Sequence, residues 1–439
     1  MVVAAEKNFF MSFEKSNAMR EDARKLIPLG AHTFTRSYTQ FPYNFSPLFI
    51  TKGKGAHFWD VDGNEYVDML SGLLSVILGY CDPDVDRAII DQLGNGITFS
   101  LSTELEQQLA RVMIDTIPSA EMVRFGKNGS DCTSAAIRLA RHVTKRDHVL
   151  VCGYHGWHDW YAGVTSMHAG IPSIVSGLSH SFDYNNIESL QKLFAEFPGQ
   201  VAAVIMEPMN IDQPKDDFLA KVKELAHANG ALLIFDEVIT GFRFDIGGAQ
   251  KLFNVTPDLS IFGKAMANGM PLSALVGKAE YMRRLEEVFY SSTFAPETLS
   301  LAASLATIKK IKEHDVIGKI RTYGGNLRSR VNDLIKKYEL DDLIAMKGDD
   351  SWVIATFKEH PKASRTLLRT FFQKEMISQG VFILVSHNIN YAHTEKDFAQ
   401  IVAAYDHTLS KLRDQLDQNK LLESLNTQLL EPVFSVRKT

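Results

Sequence analysis

Apolar and polar positions change their spacing along this chain, and the changes mark its elements. Residues 13–27 have helical spacing and stop before Pro28-Leu29-Gly30. Pro47 to Ile50, Ala56 to Asp60 and Glu65 to Met69 read as short strands, the last two joined by the turn signal Asp62-Gly63-Asn64. From about residue 85 helix and strand alternate. Thr103 to Thr116 is an amphipathic helix with Leu105, Leu109, Val112 and Met113 on one stripe. Met122 to Phe125, His148 to Cys152, Val201 to Met206 and Ala231 to Phe235 are apolar runs with helices between them. Unbroken apolar strands separated by helices predict a mainly parallel sheet covered on both faces, an α/β fold. Further on, the pattern predicts a helix over Leu299 to Ile311, a long charged helix over 311–337 and a strand over Ser351 to Phe357. It then predicts a helix over Leu367 to Gln379, a strand over Val381 to Val385 and a last helix to about residue 416. From about residue 331 this is a second, smaller α+β domain.

The chain has 439 residues, 45% of them hydrophobic and 23% charged, enough for a large core and more than one domain. A net charge of −5 without a basic block excludes a nucleic-acid or anionic-membrane surface as the main business. Cys81, Cys132 and Cys152 are odd in number and widely spaced, which argues for a reducing compartment and against metal ligation. The first 19 residues carry Glu6, Lys7, Glu14 and Lys15 and lack the apolar core of a leader peptide. The longest apolar stretch, Met69 to Tyr80, is too short to span a bilayer. A cytoplasmic protein is expected.

Candidate chemistry gathers at strand ends. Ile261 and Phe262 deliver Lys264 to a break followed by Gly269 and Pro271. An amine at the buried end of an apolar run has a lowered pKa, which suits Schiff-base chemistry with a carbonyl cofactor. A surface loop lysine would have the same spacing. Gly126 to Asp131 joins a strand to a helix, so Gly129 and Ser130 stand where a helix N-terminus binds phosphate; equally, Ser130 or Asp131 could only cap the helix. Tyr154 to Tyr161 is a run of aromatic and imidazole groups at another strand end, either a stacking face or a packed corner. Glu207 and Asp236 close two apolar strands and face the same edge.

Asp236-Glu237-Val238-Ile239-Thr240-Gly241-Phe242-Arg243, followed by Phe262-Gly263-Lys264, resembles the class III (omega) aminotransferases of pyridoxal-phosphate fold type I. Trp59 to Asn64, Ile137 to Arg141, Tyr154-His155-Gly156 and Tyr391 to Thr394 extend the resemblance over nearly the whole chain, nearest to the glutamate-1-semialdehyde aminomutase branch. It implies a large cofactor-binding domain over residues 75–330. A small domain would be built from 1–74 and 331–439. It implies that Lys264 carries pyridoxal 5′-phosphate as a Schiff base, that Asp236 pairs with the ring nitrogen, and that Tyr154 and Val238 cover the two ring faces. Gly129 and Ser130 would bind the phosphate, Glu207 would lie on the ring-hydroxyl side, and Thr293 would reach the phosphate of a neighbouring subunit in a homodimer. Arg36 matches the position that holds a substrate carboxylate.

The implied reaction is transfer of an amino group from an amino acid, L-glutamate first, to a carbonyl acceptor. Two departures from the aminomutase pattern stand out: the aromatic, shortened segment Trp157 to Ser181, and Ser292 to Thr298 in place of a Gly-Asn-Pro pattern. No arginine lies between Gly380 and Thr394, where several relatives keep one. The departures suggest a sugar-derived acceptor, such as oxidised 3-deoxy-octulosonate (Kdo) on the way to 8-amino-Kdo in lipopolysaccharide. The alternatives are a glutamate-1-semialdehyde 2,1-aminomutase and a non-catalytic regulator that binds the cofactor. No metal, nucleic acid or membrane is expected.

Overall fold

The computed structural model describes residues 11–430; Glu6 and Lys7, read above against a leader peptide, lie outside them. Its strands are β1 (Ile50–Lys54), β2 (His57–Asp60), β3 (Glu65–Asp68), β4 (Met122–Gly126), β5 (His148–Cys152), β6 (Ser179–Ser181) and β7 (Val201–Met206). They continue as β8 (Leu232–Asp236), β9 (Leu259–Phe262), β10 (Ser273–Gly277), β11 (Ile344–Asp349), β12 (Trp352–Phe357), β13 (Val381–Phe382) and β14 (Ser386–His387). The central sheet has seven strands in the order β4-β10-β9-β8-β7-β5-β6. All neighbours are parallel except β10, which runs antiparallel to both β4 and β9. Every residue of β7, β8 and β9 is buried, as strands covered on both faces require. A Val, Leu or Ile so placed contributes about 1.5–3 kcal/mol.

The two remaining sheets involve distant parts of the chain. β1, β2 and β3 form an antiparallel meander, and β13 adds to β3 in parallel, Val381 opposite Val67. β14 joins β11 and β12. The expected strand Val381 to Val385 is therefore cut to β13, and the chain leaves that sheet to pair again only past Val385, as β14. Pro47, which cannot donate to a ladder, keeps the first strand from starting before Ile50. The expected long helix breaks instead into Thr298–Glu313 and Val316–Lys337, with Asp315 in the left-handed region at φ 46°. β10 is a strand that the sequence pattern did not announce, because its small residues follow Pro271.

His57 couples β2 to the last long helix, Glu395–Asp417. Its Nε2 donates to Asp397 Oδ1 at 2.9 Å, and Glu65 Oε1 lies 3.0 Å from its Nδ1. The Asp397 bond raises the His57 pKa, and the same partnership helps hold Asp397 down to about 2. The stabilisation from a raised histidine is complete below its unfolded pKa near 6.5 and fades as pH rises through the higher folded value. The Asp397 contribution is complete above about 4 and fades only as pH falls toward 2. His57→Gln is therefore expected to lower Tm by roughly 2 °C more at pH 6 than at pH 9. Thermal scans of both proteins check this; an equal loss at both pH values would contradict a charged His57.

Candidate active site

The carboxyl ends of the parallel strands meet at one edge of the sheet, and the candidate residues hang from them. β9 runs into Gly263 and then Lys264, which opens the single turn Lys264–Ala267. Lys264 itself is left-handed, φ 43°, and Asn268 and Gly269 follow at 42° and 99°. Such backbone costs about 1–3 kcal/mol at a non-glycine residue and persists only where the surroundings hold it. Burial lowers the Lys264 pKa; Glu207 and Asp236 pull the other way, and Arg243 lowers it further. The amine is thus set among two acids and a second cation.

Asp236 closes β8 and is 5% exposed. Its Oδ1 accepts from the Val238 N–H at 3.1 Å, and its Oδ2 accepts from His155 Nδ1 at 2.9 Å. The fully buried His155 is in turn fixed by its own carbonyl, which accepts from the Thr133 hydroxyl at 2.9 Å. Glu207, just past β7, accepts from the Tyr154 N–H and from Asn210 Nδ2, both at 3.0 Å. Burial and the charge of Asp236 raise its pKa. Tyr154 is 45% exposed, with its ring edge-on to Tyr161 at 5.7 Å.

β4 leads into the helix Gly129–Thr144. Asn128 is the N-cap, and Asp131 closes a capping box with it: Asp131 Oδ2 accepts from the N–H groups of Lys127 and Asn128, at 3.1 and 2.8 Å. The N–H groups of Gly129 and Ser130 have no acceptor among the described residues, leaving the first helical turn open to an anion. A Cβ on Gly129 would come within 3.0 Å of Val238 Cγ2, and one on Gly156 (φ 102°) would overlap the Ser130 hydroxyl. Gly129, Ser130, Gly156 and Val238 therefore share one cradle.

The structure gathers Lys264, Asp236, Glu207, Tyr154, Val238, Gly129 and Ser130 at this edge. Thr293 is exposed in the loop before the helix Thr298–Glu313. Arg36 lies in an adjoining cavity of about 520 Å³ whose wall includes Asn268, Gly269 and Met270, the continuation of the Lys264 turn. Much of the rest of that wall is apolar: Phe41, Leu48, Phe58, Leu70, Leu73 and Phe382. Ser71, Gly72, Leu73 and Leu74 form a left-handed turn there, φ 43°, 59°, 61° and 73°. Asp68 Oδ1 accepts from the Leu70 N–H at 2.7 Å, Ser71 Oγ donates to the Asn388 carbonyl at 2.6 Å, and Asn390 Nδ2 donates to Ser71 Oγ at 3.0 Å. Asn268 ties this segment to the Lys264 turn: its Oδ1 accepts from the Leu78 N–H at 2.8 Å and its Nδ2 donates to the Gly79 carbonyl at 3.0 Å.

The aromatic run is mostly a packed corner. His158 Nδ1 and Trp160 Nε1 both meet Ser134 Oγ, at 2.6 and 2.9 Å, and the Tyr161 hydroxyl donates to the Gly153 carbonyl at 2.8 Å. Trp157 alone is largely exposed, at 71%. Sequence reasoning gave no role to His155, although it stands inside the quoted Tyr154-His155-Gly156 run. Among the described residues no group of histidine, cysteine, aspartate or glutamate side chains is placed to hold a metal.

A phosphorylated pyridine aldehyde fits these residues. The free N–H groups and the Ser130 hydroxyl suit the phosphate, and the anchored Asp236 suits a protonated ring nitrogen. Tyr154 and Val238 suit the ring faces, and the dehydrated Lys264 amine suits the aldehyde. Comparison with known proteins points the same way. The family model for Aminotransferase class-III matches residues 38–411. The 3-aminobutyryl-CoA aminotransferase of Cloacimonas acidaminovorans (strain Evry) is 36% identical over 416 residues, 92% of this chain and 99% of that protein. The glutamate-1-semialdehyde 2,1-aminomutase of Aquifex aeolicus (strain VF5) is 31% identical over 92% of this chain and all of its own. Among solved structures, FumI of Sphingopyxis sp. MTA144 in its PLP internal aldimine form superposes with a TM-score of 0.86 at 26% identity, covering 94% of this chain and 100% of that one. An omega-transaminase from Sphaerobacter thermophilus gives 0.82 at 26% identity, covering 91% and 98%.

Gly156→Ala, which adds left-handed strain and pushes the Ser130 hydroxyl aside, is expected to weaken pyridoxal phosphate binding roughly tenfold without unfolding the chain. An absorbance titration of the apoenzyme measures it; wild-type affinity in the variant would remove Ser130 from the phosphate cradle.

Proposed function

The chain belongs to the class-III aminotransferases and is a pyridoxal-phosphate-dependent aminotransferase; we propose that, as a homodimer, it moves an amino group from an amino acid, L-glutamate first, to the carbonyl of an anionic small-molecule acceptor. The observation that carries this is the meeting at one sheet edge of a half-buried lysine, its pKa lowered by burial, with a carboxylate anchored by a backbone N–H and a buried histidine. Pyridoxal phosphate, when bound, supplies a carbonyl that takes an amine and a ring that accepts the electron pair left on a substrate carbon. Asp236 would hold a proton on the ring nitrogen, and His155 keeps that carboxylate oriented. Lys264 Nζ, biased toward the neutral amine by burial, would take the proton from the donor carbon and deliver it to the cofactor carbon that bears the transferred nitrogen, and would carry it the opposite way when the acceptor reacts. Tyr154 and Val238 keep water from the ring faces.

Dimerisation is supported by the surface near Thr293. The segments 97–101 and 289–298 are joined by the Thr298 N–H to the Ile97 carbonyl at 2.9 Å. They expose Phe99 (48%), Leu101 (84%), Phe289 (84%) and Phe294 (62%). An apolar patch of this kind marks an interface, and the exposed Thr293 on it would serve a partner's phosphate. A cytoplasmic setting is part of the proposal, supported by three unpaired cysteines. Among the described residues no helix is long and apolar enough to cross a membrane.

For the acceptor, Arg36 supplies the anion partner, and the apolar cavity wall suits a hydrocarbon body. The Cloacimonas relative is named for 3-aminobutyryl-CoA, and an acyl acceptor of that general kind suits the wall. A sugar-derived acceptor, oxidised Kdo included, is the second reading; it rests on the exposed Trp157 and the polar loop at Ser291 to Thr293. The aminomutase reading rests on the Aquifex relative and needs no external donor. In single turnover, the loaded enzyme mixed with L-glutamate is expected to bleach its visible band and release one 2-oxoglutarate per site. Conversion of glutamate semialdehyde alone, with no bleaching by glutamate, would overturn the transaminase reading in favour of the aminomutase.

A further inference from the structure

Three arginines cluster around Tyr38, and one of them, Arg36, lines the 520 Å³ cavity. The guanidinium of Arg20 stands 4.7 Å from the Tyr38 ring and 4.2 Å from the Tyr43 ring, and that of Arg24 stands 4.8 Å from Tyr38. Arg36 lines the cavity itself, together with a small crevice whose other walls include Arg20, Tyr38 and Leu48. Stacking on tyrosine faces holds the guanidinium planes without using their N–H donors. Acids close to them are few. Glu21 lies 3.6 Å from Arg24, with both side chains well exposed. Among the described residues, Arg20 and Arg36 make no ion pair and their guanidinium groups no hydrogen bond. Asp68, in the cavity wall, accepts from the Tyr80 hydroxyl and the Leu70 N–H, and Asp86 belongs to the helix Pro83–Leu93. Asp68 and Asp86 share the cavity wall with Arg36, while Arg20 and Arg24 stand outside it with Glu21 as the one ion-paired acid among them; the guanidinium groups beside Tyr38 keep positive charge at this edge of a chain of net charge −5. Cations kept unneutralised beside a cavity serve an anionic ligand.

We infer that the acceptor is amphipathic: a short apolar acyl part that enters the cavity toward the Lys264 turn, carried on a phosphate-bearing tail that lies against Arg20, Arg24 and Arg36. A lone carboxylate needs one guanidinium fork; three planar forks fit several phosphate oxygens. This deepens the reading of the chain as a transaminase with an anionic acceptor and rests on it.

The test uses the full chain loaded with pyridoxal phosphate and preloaded with amino groups from glutamate. It compares 3-oxobutyryl-CoA with free 3-oxobutyrate as acceptors, and runs in parallel a binding titration with CoA alone. Wild type is expected to favour the thioester, with a KM that rises with salt, and to bind CoA. Arg20→Gln/Arg24→Gln, which leaves Arg36 and the lysine cluster alone, is expected to raise KM for the thioester by roughly tenfold or more, weaken CoA binding alike, and leave KM for the free acid unchanged. Active transamination with no preference for the thioester, or a variant equally impaired with both acceptors, would overturn the inference while leaving the transaminase standing. An enzyme that takes up amino groups from glutamate and passes them to sugar-derived aldehydes alone would also overturn it. An enzyme that takes up none would overturn the transaminase reading first. A variant that fails to fold is replaced by the wild-type CoA titration at two salt concentrations, where salt-independent binding contradicts the inference.

Discussion

Dehydrating one amine is the constraint on which the rest of this structure turns. Water is a far better solvent for an ammonium ion than any protein interior, so burial drives Lys264 toward its neutral, nucleophilic form. Left to burial alone, such a lysine would be chemically ready but electrically isolated. Glu207 and Asp236 oppose the burial, and Arg243 reinforces it. Arg243 is itself fully buried, its Nη1 spent on the Ser351 and Ile389 carbonyls, and burial pulls its pKa down to about 10. The balance between two acids and two bases is set by strands that run side by side, and it explains why the acids stand at strand ends and not elsewhere.

Backbone strain concentrates where that balance is held. Lys264, Asn268 and Phe242 are non-glycine residues in the left-handed region, and so are Ser71, Leu73 and Leu74 across the cavity. Conformations of this kind survive only when over-determined. The means of over-determination are visible. Asp68 and Asn268 grip the segment from Leu70 to Gly79, and Asn388 and Asn390 reach in from the far end of the chain. Asn388 and Asn390 thus serve the floor of the site. Both ends of the chain contribute, which makes the shape of the acceptor cavity depend on contacts more than 300 residues apart in sequence, such as Asn388 to Leu70.

Much of the fold was legible because its signals are local. β7 and β8 are unbroken apolar runs that end abruptly in Glu207 and Asp236, so strand, strand end and acid could be read together. The turn before the helix Gly129–Thr144 was legible for the same reason, although the choice between cap and anion site needed the structure to show that Asn128 and Asp131 form the capping box while Gly129 and Ser130 stay open. Non-local partners were not legible. The bond between His155 and Asp236 spans 81 residues. β10 exists because β4 and β9 offer it two ladders, despite small residues that read as a loop. The aromatic run looked equally suited to stacking and to packing until Ser134 was seen to take up both His158 and Trp160. Arg36 was readable as an anion partner, but nothing local tells that Arg20 shares a crevice with it or that Arg24 stacks on the Tyr38 of that crevice.

The central claim is that Lys264, and no other lysine, is the covalent anchor of the cofactor. Borohydride reduction of the loaded protein followed by proteolysis and mass spectrometry tests it most directly. One phosphopyridoxyl group per chain is expected, on the peptide containing Gly263-Lys264-Ala265. A label on any other lysine, or none after full loading, would contradict it.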